Sequence, residues 1–146
     1  MAKNQMTLDT TGLDAALERL LRTMGAEKAQ KVVEEELTKV GKEITTDTIE
    51  AVQKANLPAG GKYSRGDTEQ AVVRNPSVEW DGGVAAIPCG FDFDKPGAGG
   101  WLISGTPKMR PDAELRRMYK AKKYMKDKQT EIANAIWEAI LTEEGH

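Results

Sequence analysis

Three observations predict an α+β fold: long helices toward each end and a small antiparallel sheet between them. Apolar residues recur every three or four positions over 13–52 and again over 115–140, the spacing of one helical face. The stretch 57–111 between them changes character, holding all six prolines and several short β-like runs. Apolar residues make up 39% of the 146 positions, enough for one core of ordinary size, so a single domain over 1–146 is expected.

Residues 1–11 are polar and read as extended or loose. Asp9, Thr10 and Thr11 offer N-caps to a first helix whose stripe is Leu13, Leu17, Leu20, Leu21 and Met24, interrupted at Gly25. A longer helix follows over 26–55, with Val33, Leu37, Val40, Ile44, Thr48 and Val52 on one face. Gly41 costs this helix about 1 kcal/mol relative to alanine, which points to a bend or a close approach. Pro58 and Gly60-Gly61 end it.

In the middle, residues 71–74, 78–80, 84–87 and 101–103 read as strands, and Phe91 and Phe93 alternate with Asp92 and Asp94. Asp81-Gly82-Gly83 reads as a hairpin turn. Loops over 57–68 and 92–100 are expected to be mobile. From 112 to 141 one helix is expected, with Leu115, Met118, Met125, Ile132, Ile136 and Ile140 on its stripe. Lys122 and Gln129 interrupt that stripe, as in a helix packed loosely or against a partner.

The chemistry-bearing residue types are scarce. Cys89 is the only cysteine, which excludes an internal disulfide and a cysteine zinc site, and it has no basic neighbour to make it a thiolate. His146 is the only histidine and the last residue given, a poor place for a general base. The expectation is a protein that is not an enzyme and needs no metal or cofactor. Gly60-Gly61-Lys62 is not a phosphate loop, since Asn56 and Tyr63 stand where glycine and serine or threonine are required. Gly97-Ala98-Gly99 fails the dinucleotide fingerprint at Leu102. Asn75-Pro76-Ser77 is barred from glycosylation by its proline, and Arg65-Gly66-Asp67 is too short to signify adhesion. Asp92 and Asp94 lack a third ligand and fit a solvated strand edge better than acid–base work.

A formal charge of −2 exerts no global pull on nucleic acid. Between Lys108 and Lys128, however, Arg110, Arg116, Arg117, Lys120, Lys122, Lys123, Lys126 and Lys128 face only Asp112, Glu114 and Asp127. Such a run fits a solvated face, or pairing with the acidic long helix around Glu34, Glu35 and Glu36 in the same or a neighbouring subunit. The alternative is a small nucleic-acid-binding module that uses this helix on phosphates. No apolar run approaches the ~20 residues of a membrane span, and the opening residues lack the apolar stretch of a secretory signal, so cytoplasmic synthesis is expected.

Several of these pieces follow one another in a telling order. Leu57-Pro58-Ala59-Gly60-Gly61 and Gly66-Asp67-Thr68 come after the long helix and before the first strand-like run. Trp101-Leu102-Ile103-Ser104-Gly105-Thr106-Pro107-Lys108-Met109-Arg110-Pro111 then precedes the terminal helix. From Leu13 onward this resembles the head–tail joining family of long-tailed bacteriophages, the lambdoid neck and tail-completion proteins. Gly105-Thr106, Lys108-Met109 and Arg110-Pro111 match the family's "GT.KM..RPF" element, whereas Ser104 and Asp112 stand where aromatics are usual and Gly66-Asp67-Thr68 lacks a leucine.

The resemblance implies a structural virion protein, assembled in the host bacterial cytoplasm, that forms a homo-oligomeric and commonly sixfold ring in the neck. Its partners would be copies of itself, a head-closure or adaptor ring, and a tail terminator or tail tube. DNA would pass only as channel cargo, and no membrane would be involved. Gly66, Asp67, Trp101, Gly105, Thr106, Met109, Arg110, Arg116, Arg117 and Glu35 are the expected assembly residues. Gly105, Thr106, Met109 and Arg110 are expected to form the turn that positions the last helix, with Gly105 at positive φ.

Overall fold

The computed structural model describes residues 6–55, 65–92, 97, 99–105 and 110–145, the side chains of Arg65 and Trp101 excepted. In chain order the elements are β1 Met6–Asp9, α1 Asp14–Met24, α2 Ala26–Lys54, α3 Arg65–Gln70, β2 Glu79–Asp81, β3 Val84–Cys89, α4 Gly99–Ser104, α5 Ala113–Tyr119 and α6 Lys122–Glu144. The fold is α+β, as expected.

Helices α2 and α6 form the main seam and run antiparallel. Lys28 of α2 meets Glu143 at 3.2 Å near the end of α6, while Glu43 meets Lys128 at 3.3 Å near its start. The predicted α2 stripe is the buried one: Val33, Leu37, Val40, Ile44, Thr48 and Val52 are each at most 3% exposed. Helix α1 packs across α2 and α6 through Ala16 and Leu20. Burying such side chains contributes about 1.5–3 kcal/mol each before the opposing chain entropy is counted.

The sheet has three antiparallel strands in the order β1-β3-β2. Met6 pairs with Cys89 and Leu8 with Ile87, so Met6, Leu8, Ala85, Ile87 and Cys89 turn one face toward the helices, and all five are buried. The hairpin at Asp81-Gly82-Gly83 is present: Asp81 pairs with Val84, leaving a two-residue turn with Gly82 at φ 62°. Gly41 sits where α2 crosses the sheet, and a β-carbon there would lie 2.7 Å from Ile87 Cδ1. Close approach accounts for this glycine.

Several expectations are corrected. Of residues 1–11, read as extended or loose, 6–9 take the extended form and are paired as β1. Thr10 does not cap α1: its hydroxyl accepts from the Ala85 N–H at 3.2 Å and prolongs the strand pairing. Asp9 Oδ1 accepts from the Thr11 N–H instead, and Leu13 is the N-cap residue, with no side-chain bond. The ends of both expected mobile loops are helical, 65–68 in α3 and 99–100 in α4, while 57–64, 93–96 and 98 lie outside the described residues. Residues 101–103 are helix rather than strand. Gly99 lets α4 start flat against Phe91, whose ring atoms would stand 2.5 Å from a β-carbon there. Around 71–74 only Val72 bridges, to Phe91. Finally, the helix expected over 112–141 is two helices, broken at Lys120 and Ala121, where Ala121 is extended (φ −78°, ψ 136°).

Candidate interaction surfaces

Gly105 has φ 78°, the left-handed conformation that the sequence assigns to it. The Asp112 N–H donates to the Leu102 carbonyl at 2.7 Å, so the two ends of the 105–111 segment are held together. The Asp112 carboxylate then caps α5 by accepting from the Leu115 N–H at 3.1 Å. Thr106 and Met109 lie outside the described residues, and Arg110 is exposed just before the cap. Trp101 lies in α4 rather than in a strand. Gly66 and Asp67 belong to α3, where the Asp67 carbonyl accepts from the Ala71 N–H. A β-carbon at Gly97 would lie 2.9 Å from Thr68 Cα, which places the start of the 97–105 segment against α3. Glu35 is exposed on α2, on a different part of the molecule from the 105–117 residues.

Arg116 and Arg117, adjacent in sequence, differ in surroundings. Arg117 pairs with Glu114, and its guanidinium also lies 5.4 Å from the Tyr124 ring centroid. The Arg117 hydrogen bond holds the Glu114 carboxyl below the usual carboxylate range. Arg116 is exposed and makes no ion pair with any described residue. Farther along, Tyr124 OH donates to Asp47 at 2.6 Å, and Lys128 reaches Glu43, Asp47 and Glu131 on the α2–α6 seam. Burial works against the Lys128 charge, but the Glu43 hydrogen bond and the three carboxylates outweigh it and leave the ammonium pKa raised. Burial, with the neighbouring Glu43, raises the pKa of the Glu131 carboxyl against the lowering by Lys128. Part of the basic run therefore pairs with the long helix of its own subunit.

Two exposed apolar surfaces were not legible in the sequence. One is a groove of about 440 Å³ lined by Leu17, Leu21, Ala29, Val33 and Trp80, with the glycines of the β2–β3 turn at its edge. Trp80 is 40% exposed and Leu21 49% exposed. The indole Nε1–H donates to Glu34 at 2.9 Å, fixing the ring over α2 and lowering the Glu34 pKa. The second is a ridge on α6, where Trp137 and Leu141, one helical turn apart, are 43% and 66% exposed. The groove lies on the flank of α1 turned away from the end of α6. Arg19 points to α6, donating to Glu144 at 2.7 Å, whereas Leu17 and Leu21 stand two positions away, about 160–200° around the helix. The sequence signal for the ridge was slight: Trp137 and Leu141 each stand one position past the stripe residues Ile136 and Ile140.

Cys89 is buried, and burial pushes its thiol up to about 12, so packing is its role here. Among the described residues no group of three or more His, Cys, Asp or Glu could hold a metal ion, and no helix is long and apolar enough to cross a membrane. Comparison with protein-family models, with curated proteins and with solved structures found no match.

Proposed function

We propose that this chain is a structural virion protein of a long-tailed bacteriophage, a subunit of a hexameric neck ring that joins the DNA-filled head to the tail. In this reading the protein is assembled in the host cytoplasm, docks between a head-closure or adaptor ring and a tail terminator or tail tube, and performs no catalysis. The observation that carries the reading is the pair of separate exposed apolar surfaces, the Leu21–Trp80 groove between α1, α2 and the β2–β3 turn and the Trp137–Leu141 ridge on α6. A ring closes through a heterologous contact, in which one surface of each subunit meets a different surface of the next. Two distinct apolar patches on one small domain suit that requirement, and such patches mark contact sites more often than chance. The positive φ of Gly105 and the Asp112 N–H bond to the Leu102 carbonyl, which holds the start of α5 beside α4, support the resemblance of that segment to the neck proteins.

Native mass spectrometry over a concentration series, with and without a short DNA duplex, tests the reading. A discrete closed oligomer is expected, reduced to monomer by Leu21→Glu and by Trp137→Glu. A monomer or dimer that retains the duplex would replace the ring with a small nucleic-acid-binding module.

A further inference from the structure

We propose that the elbow between α5 and α6 is a contact surface for the phosphate backbone of duplex nucleic acid, bound without regard to sequence. Arg116, Lys120, Lys122 and Lys126 are exposed there and make no ion pair with any described residue. The three acids of the surrounding run are each engaged elsewhere. Asp112 caps α5, Glu114 holds Arg117, and Asp127 holds Lys123 at 3.1 Å. Lys128, the last cation of the run, is turned into the α2–α6 seam. The elbow thus presents a local excess of positive charge on a chain whose net charge is −2.

The spacing suits phosphates. Arg116 with Lys120, and Lys122 with Lys126, are four residues apart, and each pair sits on one helical face. Four residues rise about 6 Å along a helix, so the two long cationic side chains of a pair can reach separate phosphates of one strand.

Two further features select the partner. The tyrosines of the elbow are turned inward, Tyr119 hydrogen-bonded to Thr48 at 2.7 Å and Tyr124 to Asp47 at 2.6 Å. No ring is left to stack on bases, which single-strand binding uses, so the duplex backbone is favoured. Among the described residues the large exposed apolar side chains (Leu21, Trp80, Val84, Trp137 and Leu141) all lie on other elements or near the far end of α6. A lysine-rich surface without an apolar anchor is unlike the centre of a protein–protein interface, where lysine is depleted.

This surface goes beyond the ring reading and is tested separately from it. Fluorescence anisotropy of a labelled duplex, titrated with the full chain, reads it directly. With four phosphate contacts, log K should fall with log salt at a slope of about −3.6, on the order of a hundredfold between about 50 and 200 mM. Lys122→Glu with Lys126→Glu should weaken binding at least about tenfold and bring the slope to about −1.8. Arg116→Glu with Lys120→Glu should do the same. Lys31→Glu with Lys42→Glu on α2 makes the same change in net charge and should act much less, with circular dichroism confirming that every variant is folded.

Absence of duplex binding by the wild type at low salt overturns the proposal. So does equal weakening by the α2 control, or single-stranded DNA bound as tightly as duplex. Equal binding of polyglutamate would assign the elbow to an acidic protein surface instead. Loss of self-association in the elbow variants, with no duplex bound by the wild type, would assign it to a neighbouring copy. A ring that ignores DNA leaves the proposed function standing and removes this inference, and a monomer that binds duplex does the reverse.

Discussion

The α1–α2–α6 layer and the glycine- and proline-rich middle are held by different means. In the helical layer a repeated stripe of aliphatic side chains meets another such stripe, and each position adds its own share of burial. The middle relies on a few close approaches. Gly99 lets α4 lie on Phe91, Phe91 faces Tyr119 at 6.1 Å between ring centroids, and Tyr119 reaches Thr48 of α2. Distributed packing tolerates a local fault in proportion to its size, whereas a chain of single contacts fails at its tightest link.

The largest expected effect lies in the layer. Leu37→Ala, at a fully buried position on α2, should cost about 2–5 kcal/mol in urea unfolding. A loss under about 1 kcal/mol would show that the seam is much looser than described. Next comes Gly99→Ala, which removes no apolar contact yet should cost about 1–3 kcal/mol, because the ring atoms of Phe91 cannot swing aside as a side-chain tip can.

Tyr119→Phe should cost about 0.5–1.5 kcal/mol at pH 8 through the lost bond to Thr48. It should also flatten the alkaline side of the stability profile. Burial is the main cause that raises the Tyr119 pKa, so the stabilising difference is fully present below the unfolded value of about 10 and is lost as pH rises beyond it. Urea midpoints of wild type and variant should therefore converge above about pH 10, and parallel profiles would remove the tyrosine from that role. The smallest effect is expected at Gly41→Ala. There only the tip of Ile87 must move, and a helix propensity gain of about 1 kcal/mol offsets the crowding. If Gly41→Ala cost as much as Gly99→Ala, the contrast between the two regions would be wrong.

How far the fold could be read from the sequence follows the same division. The α2 stripe and the Asp81-Gly82-Gly83 hairpin are local patterns, and both were legible. Trp101, Leu102 and Ile103 suit a strand by propensity, but α4 is set by the Gly99–Phe91 contact, which no local window contains. The elbow at Lys120 and Ala121 carries no proline or glycine. Its one trace was Lys122 falling on the apolar stripe, a phase slip that marks a new helix beginning rather than a loosely packed one. Strand β1 is short, and its partner β3 lies far along the chain, so the segment reads as extended or loose and its pairing is not legible. Of the assembly residues, the positive φ of Gly105 was legible from the family motif. The exposure of Trp80 and Trp137 was not, because an apolar residue carries no local sign of which neighbours fail to cover it.

The place of β1 has a consequence for the order in which the chain becomes sheltered. Met6 and Leu8 leave the ribosome before β3, their partner, and before α6, which closes over them and α1. At roughly 5–20 residues per second, that interval is on the order of ten seconds. For that time β1 is an open edge with two uncovered apolar side chains, and the arrival of α6 ends its exposure. Charge or proline placed at Met6 or Leu8 would thus lower the yield of soluble chain by more than the loss of native stability explains, and truncation within α6 would leave the strand exposed for good.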